Sequence, residues 1–186
     1  MTLWNQTLLP LQWGAVISAS LVAATCDLHR GRIPNWLTGP LLLGGLAWAA
    51  WVGGPAGAAD SVTGCVLMAV PFIILFAFAG GGAGDAKLMG AIGAWVGTIG
   101  GTIALGSVAA AGALLGLALV LAEGRVARFR TNIAGLGAGL TCVVLGRPRT
   151  AALLLPDRTS MQTMPYGVAI FLGTLGAAIG VWLWHG

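Results

Sequence analysis

The sequence predicts an all-α polytopic membrane protein of about six transmembrane helices, with both termini on the outer, periplasmic side. Three observations carry that prediction. Hydrophobic residues make up 58% of the 186-residue chain against 8% for charged residues. Mean hydropathy is +0.92, and the cationic residues sit in short clusters between long apolar runs. A soluble domain of this length needs a polar surface that such a composition cannot supply, so the bilayer sets the architecture.

A helix needs about 20 apolar residues to cross the hydrocarbon core, and shorter stretches cope by local thinning or snorkelling. The stretches that qualify are Leu8 to Cys26, Trp36 to Val52, Val62 to Ala79, Leu88 to Ile103, Ala104 to Leu121 and Tyr166 to Trp184. The first has no basic residue ahead of it and no cleavage site, so it reads as a span and not as a removable signal peptide. The fourth and fifth form one apolar run too long for a single crossing, and Gly100 and Gly101 are the expected turn.

Sidedness follows from the cations. With six spans, Arg30, Arg32, Lys87, Arg125, Arg128, Arg130, Arg147, Arg149 and Arg158 all fall on one side, which is then the cytoplasm. Fusing the fourth and fifth spans would put the large arginine loop opposite the first two basic loops, so six is preferred. The chain is one membrane domain, 1–186, with a cytoplasmic loop at about 123–165. The apolar patch "IAGLGAGLTCVVLG" in that loop is too short and glycine-rich to span, and suits an interfacial segment or an ordinary loop.

The net charge of +4 does not point to nucleic acid, because the arginines lack interleaved aromatics and any known binding motif; the partner they imply is the lipid bilayer. Cys26, Cys65 and Cys142 form no CxxC pair and have no histidine at ligand spacing, so they read as small apolar fillers and no metal or cofactor is expected. Glycines recur at four-residue spacing at Gly93, Gly97 and Gly101, at Gly112 and Gly116, and at Gly176 and Gly180. Such small faces let helices approach closely.

The chain has five acids. Asp60 follows "GGPAGAA" and, with Ser61, reads as a solvated N-terminal cap of the third span. Asp157 adjoins Arg158 in a polar loop, and Glu123 lies near Arg125 and Arg128 as a surface ion pair. Asp27 and Asp85 differ: one ends an apolar run, the other lies between two, and the alternation of spans puts both at the cytoplasmic border. Ionisable groups at membrane depth are costly and are candidates for function, although helix-end acids reach water more easily. Two close carboxylates do not readily both ionise, so they share a proton and supply one general base and one general acid. Such a pair can activate water for attack on a peptide carbonyl and protonate the leaving amine, with no nucleophilic side chain and no metal. The glycines flanking Asp85 would let a substrate backbone approach without a Cβ in the way.

Around these residues stand "CDLHRGRIPNWLT", "GAGDAKLM" and "MPYGVAI". They resemble the type IV prepilin peptidases, specifically the short TadV/CpaA-like branch. Gly82, Ala83, Gly84 and Asp85 fit the Gly-x-Gly-Asp pattern of membrane aspartic proteases. The Asp27 stretch, Pro34 and Asn35 after Ile33, Lys87 before Leu88, and Pro165 with Tyr166 follow in the family's order. The resemblance implies an aspartic endopeptidase of the bacterial cytoplasmic membrane, with Asp27 and Asp85 as its catalytic pair and without a cofactor. Its substrate would be a prepilin or pseudopilin, cut between a basic leader and the mature segment, and other pilus-assembly proteins are implied as partners. Longer members carry a cytosolic domain with paired cysteines and also N-methylate the new terminus; this chain has neither the domain nor the pairs, so peptidase activity alone is expected. His29 stands where many relatives have a firmly basic residue. Lys87, two positions from Asp85, would not share its helix face and is expected at lipid phosphate.

Two readings from other classes remain open. One is a small transporter or channel with a carboxylate pair, although no acid falls at the centre of a span and no pair of interrupted helices suggests a midplane site. The other is an inactive scaffold for pilus assembly.

Overall fold

A computed structural model describes residues 9–79, 82–122 and 166–185. The expectations placed on Glu123, Cys142, Asp157, Pro165 and the arginines from Arg125 to Arg158 lie outside the described residues. The described chain is all helical: α1 (Leu9–Arg30), α2 (Asn35–Ala79), α3 (Ala83–Ala122) and α4 (Tyr166–His185). All four are long and apolar enough to cross a membrane.

Local chemistry sets the helix ends. Gly31 takes a left-handed backbone at φ 60° and its N–H donates to the Asp27 carbonyl at 2.8 Å, a glycine stop that ends α1 and leaves Asp27 in its last turn. Three residues on, the Pro34 carbonyl accepts the N–H groups of Leu37 at 3.1 Å and Thr38 at 3.4 Å and opens α2.

The two long helices are each broken at one glycine. In α2 the break is Gly54 (φ 57°, ψ −148°). Pro55 follows it with a preset φ and no N–H, a natural first residue for a new helix. The expected loop between Val52 and Val62 is therefore a single residue, and Asp60 lies inside a helix instead of ahead of one. In α3 the break is Gly97 (φ 68°, ψ −168°), not Gly100 or Gly101. That backbone region is essentially closed to residues with a Cβ. The partner across the interface selects Gly97 for it: the Asp60 carboxylate accepts the Thr98 N–H at 3.2 Å and fills the place where a Gly97 Cβ would be. Asp60 thus caps a helix, but the one after Gly97.

Both breaks reverse the chain. Gly45 lies against the Ala94 and Trp95 backbone, and Gly64 lies against Gly93 and Gly97. On a straight helix Gly45 and Gly64 would be about 28 Å apart, so α2 folds back at Gly54. Similarly, a Cβ on Gly101 would be 3.9 Å from the Gly93 Cα, two positions about 12 Å apart along an unbroken helix.

Helix α2 packs mainly on α3, and α4 on α3 and α1. Trp13, Val16 and Ala23 of α1 meet Met68, Leu88, Met89, Ile92, Val108 and Ile170 in the buried core. Glycine makes the tightest contacts possible: Gly93 and Gly64 meet backbone to backbone, and the Val108 backbone occupies the space beside Gly173. Gly176 and Gly180 were expected in such a contact, yet nothing lies within 4 Å of where their Cβ atoms would be; Ala169, Ile170, Thr174 and Ala177 carry the buried face of α4 instead. The outer surface is apolar, with Trp51, Trp182, Trp184 and Leu114 broadly exposed.

Candidate active site

The reversals bring the last turn of α1 and the first turns of α2, α3 and α4 to one end of the molecule. Each candidate carboxylate lies against the start of a helix, Asp85 of its own and Asp27 of another. Asp85 lies in the first turn of α3, where its N–H donates to the Gly82 carbonyl at 3.1 Å and the positive end of the helix dipole favours a negative charge. Asp27 lies in the last turn of α1, the unfavourable end of its own helix. A different helix compensates: Asp27 Oδ2 accepts the Gly167 N–H at 2.9 Å. That N–H is one of the first-turn donors of α4 that have no partner within their own helix.

Asp27 and Asp85 are close enough to interact electrostatically, and so are Asp85 and Tyr166. All three are half-buried. Tyr166 is held edge-on by Phe72, with ring centroids 6.5 Å apart, and a Cβ on Gly112 would be 3.5 Å from its ring. Asp27 of α1, Phe72 of α2, Asp85 and Gly112 of α3 and Tyr166 of α4 bring all four helices to this end.

The remaining residues picked from the sequence build the frame. Lys87 does not stand free at the surface: its Nζ donates to Asn35 Oδ1 at 3.0 Å, tying the start of α2 to that of α3. Gly84 and Gly82 do not leave an open path beside Asp85. A Cβ on Gly84 would be 2.9 Å from the Ile33 Cβ, and one on Gly82 would be 2.8 Å from Asp85 Oδ2. The space that glycine leaves at these positions is taken by the protein itself, first by the Ile33-Pro34-Asn35 corner and then by the carboxylate. Asp60, by contrast, lies at the other end of the α2–α3 pair.

Gly167 was missed. A Cβ there would be 2.9 Å from the Asp27 Cβ and 3.1 Å from the Ala24 Cα, so the residue admits Asp27 as well as binding it. It stands next to Tyr166 in the motif, but in a chain with 31 glycines nothing in the sequence marks this one. Phe72 went unnoticed for a similar reason, as one aromatic in an apolar run.

Among the described residues no three His, Cys, Asp or Glu side chains gather as a metal site would require. What the arrangement offers is a pair of carboxylates held from two helix starts, able to share a proton and to pass it between water and a bound amide.

Residues 14–121 match the model of the type IV leader peptidase family. The match spans more than half of the chain and includes both aspartates. No curated protein matches the chain, and no solved structure does.

Proposed function

Because the chain belongs to the type IV leader peptidase family, we propose that it removes the leader of type IV, Flp-like prepilins or pseudopilins at the cytoplasmic face of the bacterial inner membrane. Membership makes it a peptidase with helices able to span the bilayer. The aspartic mechanism, the substrate and the sidedness are our reading. One observation carries it: Asp27 and Asp85, far apart in sequence, interact across the start of α3.

In this reading α1, the two halves of α2, the two halves of α3, and α4 make six crossings, with both termini outside. The shortest segment, from Ala83 to the break at Gly97, is about 21 Å long. A segment that short thins the bilayer locally and keeps Asp85 within reach of cytosolic water. The basic leader enters from the cytoplasm, the side on which the loop cations of the sequence fall in this arrangement. Water between the two carboxylates loses a proton to one of them as it attacks the scissile carbonyl, and the other protonates the carbonyl oxygen. The tetrahedral intermediate then collapses with proton transfer to the leaving amine.

The experiment is co-expression with a candidate prepilin, followed by its size shift on processing. Wild type converts it, whereas Asp27→Asn and Asp85→Asn leave it full length while remaining in the membrane fraction. Normal processing by either variant would end the catalytic assignment. A prepilin left intact by wild type would favour the transporter or scaffold reading. Sidedness is tested separately: a cysteine placed between Arg125 and Arg158 is labelled by an impermeant thiol reagent only after the membrane is opened, and labelling in intact cells overturns the six-crossing arrangement.

A further inference from the structure

We propose that Tyr166 is a further catalytic residue of this site, its phenolic hydroxyl donating a hydrogen bond to the scissile carbonyl oxygen and holding it as water adds. This rests on the reading of the two aspartates as a peptidase pair, and goes beyond it by naming the group that binds the oxygen on which charge develops.

Position is the first support. Tyr166 opens α4, and the next residue, Gly167, is the one whose N–H is bonded to Asp27. A Cβ on Gly112 would lie 3.7 Å from the Tyr166 hydroxyl oxygen. Counted along α3 from the break at Gly97, Asp85 lies about 18 Å back and Gly112 about 22 Å on. The chain reverses at that break, so the hydroxyl and the Asp85 carboxylate share one level. They interact electrostatically, yet no hydrogen bond joins them.

The hydroxyl is also fixed in place and unspent. Phe72 meets the Tyr166 ring edge-on, at 6.5 Å and 87°, and Gly112 lies against its hydroxyl-bearing end. A donor held in this way needs no reorganisation when charge appears before it. A half-buried phenol ordinarily finds a hydrogen-bond partner, but among the described residues this one has none. Its oxygen is not sealed off either: among the described residues, the sealed side-chain donor without a partner is Trp48 Nε1. Neighbouring donors are already engaged, the Gly167 N–H with Asp27, the Gly82 backbone with the Asp85 carboxylate and Lys87 Nζ with Asn35. The Tyr166 hydroxyl is left for the substrate.

A carbonyl oxygen has two lone pairs. One takes the proton from the acidic member of the pair, and the other accepts from Tyr166. As the water oxygen bonds to the carbonyl carbon, the π pair moves onto the carbonyl oxygen and strengthens that hydrogen bond, more in the transition state than in the bound substrate. Tyr166 neither gains nor loses a proton and makes no bond to carbon. The proton balance among water, the two carboxylates and the leaving amine is therefore unchanged.

The chain has one tyrosine, so enzyme grown on 3-fluorotyrosine is altered at this phenol and nowhere else. Fluorine makes the phenol more acidic, and an ionised phenol cannot donate. With unlabelled prepilin as substrate in detergent, kcat of the fluorotyrosine enzyme falls on the alkaline side at a lower pH than kcat of wild type. The other ionisable groups around this end are Cys26, Asp27, His29 and Arg30 of α1, Arg32 of the corner, and Asp85 and Lys87 of α3. They are identical in the two enzymes, so their titrations cancel in the comparison. In Tyr166→Phe, kcat falls about 10²-fold, the scale of one lost oxyanion donor, while KM stays within a few-fold of wild type. An alkaline limb that fluorine leaves unmoved, or a Tyr166→Phe enzyme with wild-type kcat, overturns the inference and leaves the aspartate pair standing. A change in KM alone overturns it too, because the ring then only packs against substrate. Should Tyr166→Phe not insert, the fluorotyrosine enzyme decides alone. Failure of the underlying reading shows separately, as normal cleavage by Asp27→Asn or Asp85→Asn.

Discussion

Two aspartates in this molecule do the same structural job at opposite ends of the bundle. Asp27 caps the start of α4 through Gly167, and Asp60 caps the helix after Gly97 through Thr98. Both are half-buried, both accept a backbone N–H from another helix, and both sit where a glycine makes room for them. The difference is the neighbour. Asp27 faces a second acid, whereas Asp60 is enclosed by backbone: Thr98 Oγ1 donates to its carbonyl at 3.4 Å, and beside it Ser61 Oγ donates to the Ala94 carbonyl at 2.6 Å. A lone capping carboxylate is accounted for by helix geometry. Two that interact across a helix boundary do not readily both ionise and so share a proton, and on the reading proposed above that is what separates a site at one end from a capped helix break at the other.

The largest effect should separate the two ends outright. Asp27→Asn and Asp85→Asn each lower leader cleavage by about 10³-fold, the scale of losing a general acid or base, whereas Asp60→Asn leaves cleavage within a few-fold of wild type, about the scatter expected away from the reacting atoms. Loss of cleavage in Asp60→Asn with a normally folded protein would break the comparison.

Next in size is the helix break. Gly97→Ala forces a Cβ into a backbone region that resists it and onto the Asp60 carboxylate, and should cost about 2 kcal/mol or more of stability. Gly106→Ala is the matched control, since nothing lies within 4 Å of a Cβ there. Denaturation in detergent would show the first variant destabilised and the second unchanged or improved.

Asp60→Ala removes the cap and should lower stability by about 1 kcal/mol with little change in cleavage. The smallest effect belongs to the brace between α2 and α3. Lys87→Met and Asn35→Ala should each slow cleavage, and the double variant should be no slower than the worse single one. That corresponds to a coupling of about 1 kcal/mol for one charge-assisted hydrogen bond. Additive losses would mean that the Nζ–Oδ1 contact contributes nothing.

How much could be read beforehand differs by element. The apolar runs of α1 and α4 were legible because a crossing needs only length and hydropathy, and a glycine stop such as Gly31 is a local event. The breaks were harder. "GGP" marked the one at Gly54 but suggested a loop, since helical residues on both sides of a single glycine look the same in sequence as residues in a polar link. Gly97 stood among equally plausible glycines, and its choice depended on Asp60, a partner from another helix. Lys87 was read against its own helix and therefore sent to lipid, when its partner Asn35 comes from α2.

The sequence by itself determined that the chain is helical and membrane-compatible, and that Asp27 and Asp85 are the acids to watch: composition, hydropathy and the placement of charge are properties of the chain taken a segment at a time. The tertiary structure alone decided which glycine breaks α3, which backbone N–H steadies Asp27, and that the space beside Gly84 is filled by Ile33. Those are contacts between segments. Their energies depend on distances of a few ångströms across helix interfaces, which no spacing along one segment encodes.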